Sequence, residues 1–365
     1  MKSYCKNLVI DRDLVVRAYE GWRSGCSGHK NAYRVTDEYG SADALIDEIL
    51  WQLTMRTLEF RPIHRYQRVE PTNGKRRVIG VESVKQQVCD YLAIIALQPL
   101  LDAKIGFYQV ASIPGKGQRL VRGALRRWAH EGGYHVKADV KQCYPSISQD
   151  VVMRVLRKYV RSDDVLYLCE TLLDTYDNGL EIGSFFALKM ASLILSFGYH
   201  HVEGLGKVRR GKWVPLVAHQ IWHMDDLMLV GRSKRDLRMA IRSLERFLMR
   251  EFGLTLKPWK IARTNDVEPL DMGGWIVRDG RVTLRAGLFL RARKAFARFA
   301  RKPSLALARK CCSYWGWLIH SDSDGVMTRN KIRETMRRAR RKVSRHDMEV
   351  RRCIESEALT SSTAC

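Results

Sequence analysis

An α+β fold is predicted by three features of the 365-residue sequence. Segments of helical period and segments of strand period are interleaved without a βαβ rhythm. Apolar residues make up 45% of the chain, enough for a sizeable core. No internal repeat and no long Gly/Ser/Pro-rich linker divides it.

The elements follow in chain order. Ala42 to Leu58 carries apolar residues at helical spacing and predicts an amphipathic helix. Tyr66 to Val81 reads as two strands around a turn at Thr72-Asn73-Gly74. Val84 to Leu101 is a second helix. His135 to Cys143 alternates like a strand and stops at Tyr144-Pro145. Ala187 to Tyr199 is a strongly apolar helix. Ile221 to Val230 is a strand interrupted by two acids. Val277 to Leu284 is a hairpin around Asp279-Gly280, and the chain from Leu290 onward is helical and basic.

Net charge is +25, high for a metabolic enzyme and ordinary for a protein that holds a polyanion. Between Arg281 and Arg345 there are 19 lysines and arginines against Asp322, Asp324 and Glu334. The positive field is thus concentrated toward the C-terminus, as phosphate binding requires. No apolar run reaches the ~20 residues that span a bilayer. The start, MKSYCKNLVIDRD, is interrupted by charge and resembles no signal peptide. The nine cysteines are scattered without a C-x-x-C pair, which argues against a disulfide framework or a zinc site. A reducing, cytoplasmic location without membrane contact is expected. His219 and His223 stand four apart like a helical metal pair, but Ile221 and Trp222 between them read as strand.

The most informative residues are acids in apolar surroundings. Asp225 and Asp226 lie in WHMDDLMLV, where a carboxylate is costly unless something cancels its charge. A strand–turn–strand with both acids at its tip, holding a divalent cation, resolves the cost. Oxygen ligands suit Mg²⁺. A plain charged turn is the alternative. Asp139 ends another alternating segment, HVKADVKQCYP. If the two segments pair, three carboxylates converge, as two-metal phosphoryl transfer needs.

With these residues in view, the sequence resembles the bacterial reverse transcriptases of retrons, group II introns, diversity-generating elements and phage-defence systems. The resemblance runs from about Arg61 to Trp317. Gly74 to Ile79 resembles the fingers hairpin, and Phe107 to Gly117 sits at the family's next motif. Asp139 to Tyr144 matches the first palm motif, and Ile182 to Ala187 the Gly-initiated motif. His223 to Asp226 matches the Tyr-x-Asp-Asp box, Gly253 to Lys260 the Lys-bearing segment, and Met272 to Trp275 the primer-grip turn. His223 stands where the family usually has Tyr. Ala187 and Leu188 replace a common Ser and Pro.

The resemblance implies a right-hand polymerase. Its parts would be an N-terminal helical segment (1–60), fingers (61–130), a palm (131–285) with an insertion at about 150–180, a basic helical thumb (286–346) and a tail (347–365). It implies RNA-directed DNA synthesis, with Asp139, Asp225 and the Val140 carbonyl on two Mg²⁺ ions, for which Mn²⁺ can substitute, and Asp226 assisting. Lys75 and Arg77 would meet the dNTP triphosphate, with Arg76 as substitute if the register slips. Tyr144 would exclude the ribose 2′-hydroxyl, unless it is a core tyrosine. Gly183 would let a template base or nucleotide approach, or simply begin a helix. Lys260 would be the general acid for pyrophosphate, with Lys257 as competitor. Tyr314, Trp315 and Trp317 would stack on bases or pack the helix. The expected partners are an RNA template, the RNA–DNA duplex, a cognate non-coding RNA and dNTPs, with homo-oligomers left open and a role in anti-phage defence among the options. The stretch after Arg345 is too short for an RNase H or endonuclease domain, so RNA removal is expected to fall to another enzyme. A maturase-like RNA-binding protein and a protein-primed or template-independent polymerase are the competing readings.

Overall fold

The structure, a computed structural model, describes residues 3–25, 30–70, 74–264 and 268–362; of 30–32 and 350–362 it describes the backbone alone. The fold is mixed, with many helices around small antiparallel sheets. From the N-terminus, α1 (Arg12–Gly25), α2 (Lys30–Tyr39) and α3 (Ala42–Thr54) precede the hairpin β1 (His64–Val69) and β2 (Arg76–Val81). Then come α4 (Val84–Lys104), α5 (Gln118–Glu131), β3 (Tyr134–Asp139), α6 (Cys143–Ser146), α7 (Gln149–Tyr159), α8 (Asp163–Leu173) and α9 (Phe185–Glu203). Two hairpins follow, β4 (Gly206–Arg209) with β5 (Lys212–Pro215) and β6 (His219–His223) with β7 (Asp226–Gly231). The chain ends through α10 (Lys234–Phe252), β8 (Lys260–Arg263), β9 (Leu270–Met272), β10 (Trp275–Arg278), β11 (Arg281–Leu284), α11 (Ala286–Arg301), α12 (Leu305–Ile319), α13 (Asp324–Arg329) and α14 (Ile332–Ser362).

Serine sets where many of these helices begin. Ser41, Ser83, Ser148, Ser162, Ser184, Ser233 and Ser304 are N-caps whose side chains accept a hydrogen bond from the backbone N–H three residues on. α3 stops at Thr54, short of the predicted Leu58. Arg56 there adopts a positive φ of 56°, and its guanidinium pairs with Asp164 at 2.6 Å. The Asp279-Gly280 turn is as predicted: both residues have positive φ, the type I′ geometry that suits a two-residue hairpin. Thr72 and Asn73 lie outside the described residues.

The chain divides into two compact units, Met1–Gly117 with Gly133–Ala262, and Gln118–Gly132 with Arg263–Cys365. In the first, α4 and α9 are buried nearly all round and pack on each other, with α1 and α8 against α4. Its sheet runs β6-β7-β3-β8, with α10 packed on β3 and β7. Gly198 of α9 lets Trp222 of β6 approach: a Cβ there would lie 3.1 Å from the indole.

In the second unit, α5 packs on the sheet β11-β10-β9 with Val121, Leu125 and Trp128 buried. The sequence groups these residues with the preceding segment, but the apolar face of α5 finds its cover 150 residues later in the chain. Trp275 Nε1 donates to Gln118 Oε1 at 3.0 Å. Trp317 packs at 4.8 Å from Trp275, the rings tilted by 41°, and covers Gly274, so of the three aromatic residues of α12 this one is used in packing. α14 does not end at 346; its backbone remains helical through Ser362. Cys5, Cys89, Cys143, Cys169, Cys311 and Cys312 carry free thiols. Among the described residues no helix is long and apolar enough to cross a membrane.

Candidate active site

The acids predicted from sequence are brought together by strand register. β3 and β7 pair antiparallel, which sets Asp139 opposite Asp226. β6 and β7 form a hairpin whose turn is Met224-Asp225, with His223 opposite Asp226. His219 and His223 are therefore strand residues, as read from sequence. Met224 takes a positive φ of 56°, whereas Asp225 does not, the pattern of a type II′ turn in which glycine is the usual first residue. A bulky residue in that conformation is strained, and such strain gathers at functional sites. The Asp225 carbonyl is tied down, accepting from Val140 N–H at 3.0 Å. The other flank is held too: Lys257 N–H donates to the Asp139 carbonyl at 2.8 Å and Lys141 N–H to that of Thr255 at 2.8 Å.

Two lysines face the acids. Lys257 Nζ lies against Asp139 Oδ1, and Lys137 Nζ is 3.8 Å from Asp226. Of the two lysines that suit the general acid by sequence, Lys257 reaches the carboxylates; Lys260 opens β8 and is exposed. Lys137, two residues before Asp139 on the same strand face, is a neighbour that residue pattern did not single out.

Electrostatics mark Asp225. Burial raises its pKa, and the charge of Asp139 raises it further. Asp225 is therefore short of positive charge, a deficit that a hard cation would fill. Among the described residues no three His, Cys, Asp or Glu side chains form a metal cage. Mg²⁺ does not need one, since it is commonly held by one or two carboxylates while substrate phosphates and water complete its shell. Asp139, Asp225 and the main-chain oxygen of Val140 could offer an all-oxygen donor set of that kind.

The remaining predicted residues lie on α6, just before α9 and on the β1–β2 hairpin. Tyr144 lies in α6, close after Gln142, another non-glycine residue with positive φ. Its phenol is raised above its ordinary pKa by burial, with Cys143 and then Asp225 adding to the effect, so the ring belongs to the Asp225 surroundings. Gly183 has a φ of 124°, and a Cβ on it would lie 2.3 Å from the Gly80 carbonyl oxygen. The close approach found at Gly183 is thus by the β2 backbone: Gly80 N–H donates to the Ile182 carbonyl at 2.8 Å. Lys75 and Arg77 are exposed on the β1–β2 hairpin, where Arg77 Nε meets Glu70 at 3.3 Å.

One buried network beside Gly183 is not expected from residue pattern. Asp90 of α4 is fully buried and its Oδ2 accepts from Ser184 Oγ at 2.8 Å and Phe186 N–H at 2.9 Å. Ser184 spends its proton on Asp90, so Tyr176 donates to Ser184 across 2.8 Å. Glu82, 4% exposed, is driven up to about 9 chiefly by burial and next by the neighbouring Asp90 charge. Glu82 is therefore the protonated member of the pair. The signal is present in the sequence as an acid inside the apolar run VCDYLAIIA.

No family model matches the chain, and no curated protein matches it. Among solved structures the chain is similar to the telomerase from Candida albicans, described in complex with a TWJ fragment of telomeric RNA. Identity is 11% and the TM-score 0.46, over 74% of this chain and 55% of that one. The chain thus spans about half the length of that protein.

Proposed function

We propose that the chain is an RNA-directed DNA polymerase that joins dNTPs to a primer by two-metal phosphoryl transfer. The observation that carries the reading is the convergence of Asp139, Asp225 and Asp226 at one end of the sheet, on a strained turn and against a lysine. Mg²⁺ held by Asp139, Asp225 and the Val140 carbonyl would neutralise charge on the attacking and leaving oxygens. Asp226, opposite Asp139, orients it through the shared ladder. Lys257 balances Asp139 and is the better-placed proton donor toward a leaving pyrophosphate. Tyr144 stands at Asp225 as the barrier to a 2′-hydroxyl. Lys75 and Arg77 supply positive charge for a triphosphate from the β1–β2 hairpin.

In this reading the first unit combines fingers and palm, and the second is the thumb. Within the second unit Arg338, Arg341 and Arg345 share one face of α14, and they line a cleft floored by Phe299 and Pro303. That spacing suits successive phosphates of a duplex without base readout.

The test is primer extension by the purified chain on a primed RNA template with dNTPs and Mg²⁺. Asp225→Asn is expected to lose incorporation by at least about 1,000-fold while template binding stays within about twofold. Binding without any incorporation by the unaltered chain would refute the polymerase and favour a maturase-like RNA-binding role.

A further inference from the structure

Helix α10 has one face that serves the fold and one that does not. Its buried residues, among them Leu237, Ala240, Ile241, Leu244 and Leu248, pack on β3, β7 and α9. They meet the side of the sheet that carries Val136, Ala138, Leu227 and Leu229, and a Cβ on Gly231 of that side would lie 3.2 Å from Leu237. Side chains alternate along a strand, so Asp139 and Asp226 belong to the other side. Arg235, Arg238, Arg242 and Arg246 are exposed on α10, and at about 100° per residue they fall within about 80° of one another around the helix. They rise in steps of about 5–6 Å over about 16 Å.

Like charges three and four residues apart repel, so this stripe weakens the helix that carries it. The acids of α10 are engaged elsewhere. Asp236 pairs with Lys207 at 2.6 Å, Glu245 accepts from Trp259 Nε1 at 2.8 Å, and Glu251 pairs with Arg250 at 2.8 Å. Among the described residues none of the four arginines forms an ion pair. The stripe runs into a cleft of about 640 Å³, lined by Arg246 and Arg250 together with Met249, Leu254 and Leu256. Met249 is 57% exposed there. Cations beside apolar side chains suit one nucleotide, with phosphate on guanidinium and the base on the apolar floor.

We infer that this face of α10 binds a single-stranded polynucleotide, with successive phosphates on the arginine stripe and one unpaired base in the cleft. Arginine at every position of the stripe suits phosphate, which a guanidinium meets with two parallel hydrogen bonds. The rise per arginine is close to the step between phosphates along one strand. A lipid surface fits less well, because an interfacial helix inserts its apolar face and that of α10 is covered by the sheet. The cleft distinguishes a single strand from a duplex, whose stacked and paired bases are not free to enter it. The inference uses no residue of the polymerase reading and does not depend on it.

The experiment is fluorescence anisotropy on the full chain, without dNTPs or Mg²⁺, using single-stranded RNA, single-stranded DNA and a duplex, each about 15 nucleotides long, across a salt series. The triple variant Arg238→Gln, Arg242→Gln, Arg246→Gln is expected to bind single strands at least about 10-fold more weakly and to lower the log–log salt slope by about 2. Its melting temperature should be equal to or above that of the unaltered chain, because repulsion along the helix is relieved, and this separates lost binding from lost folding. Met249→Ser is expected to weaken single-strand binding by about 3- to 10-fold and to leave the duplex within about twofold. RNA carrying 4-thiouridine should cross-link to peptides between Arg235 and Leu256 in the unaltered chain and not in the triple variant. Loss on RNA, on DNA or on both after the triple substitution supports the site and identifies the strand that it holds. Unchanged affinity and slope overturn the inference and leave the stripe to an acidic protein. No loss after Met249→Ser, or equal loss on duplex and single strand, overturns it as well. If the unaltered chain fails to extend a primer while the triple variant loses single-strand binding, the polymerase reading falls and this one remains.

Discussion

Asp139 and Asp226 face each other across β3 and β7, two like charges in directly opposed positions of an antiparallel ladder. Sheets ordinarily avoid this pairing. Lys257 against Asp139 and Lys137 near Asp226 supply the compensation. Both pairs are partly exposed, so each is worth under about 1 kcal/mol. Lys257→Met should therefore lower the melting temperature in EDTA by only about 2 °C, and millimolar Mg²⁺ should recover it. Lys260→Met should do neither. Thermal unfolding with and without Mg²⁺ checks this, and an ion-independent loss in Lys257→Met would count against a cation between the carboxylates.

Tyr144 acts by bulk. Tyr144→Ala should raise ribonucleotide incorporation relative to deoxynucleotide by roughly 10-fold or more, while Tyr144→Phe keeps the discrimination because the ring remains. Steady-state competition between dNTP and NTP measures the ratio. Unchanged selectivity in Tyr144→Ala would leave the residue as a packing tyrosine of α6.

Gly183 should tolerate no side chain. Its φ is 124°, and the Gly80 carbonyl oxygen lies 2.3 Å from where a Cβ would stand, so Gly183→Ala strains its own backbone and pushes on β2 at once. A loss of at least about 2 kcal/mol is expected, read from the urea midpoint. The β1–β2 hairpin should lose amide protection with it. A neutral substitution would mean that the β2 contact yields freely.

Glu82 gives stability a pH dependence of definite sign. Burial raises its folded pKa to about 9, so the folded chain holds a proton that the unfolded chain gives up above its ordinary value near 4.5. The stabilisation is complete below that value and is lost as pH rises toward 9. Glu82→Gln supplies a neutral amide at every pH. It should flatten the decline in melting temperature between about pH 5 and 9 relative to the unaltered chain. Parallel curves would show that Glu82 does not carry the proton.

Much of this is legible in residue pattern, and the exceptions have physical causes. Asp279-Gly280 announces a type I′ hairpin because few dipeptides tolerate two positive φ angles. The acids of β3 and β7 stand out because carboxylates are costly in apolar strands. Asp90 and Glu82 are harder to see, since one buried acid in a long helix looks like a surface residue until a second arrives from another segment. Lys257 and Lys260 both suit the same motif, and only the ladder beside Asp139 distinguishes them. The partner of α5 is hidden because periodicity tells that a face is apolar and not what will cover it. Gly183 reads as a glycine with a purpose, but the backbone that comes close is supplied by β2, far away in sequence.

The chain leaves its first compact unit at Gly117, returns at Gly133 and leaves again after Ala262. A fragment cut at that last crossing would retain α5 but strip away β9 to β11, baring Val121, Leu125 and Trp128 to water. Neither half can therefore be traded between genes as a cassette by one recombination event.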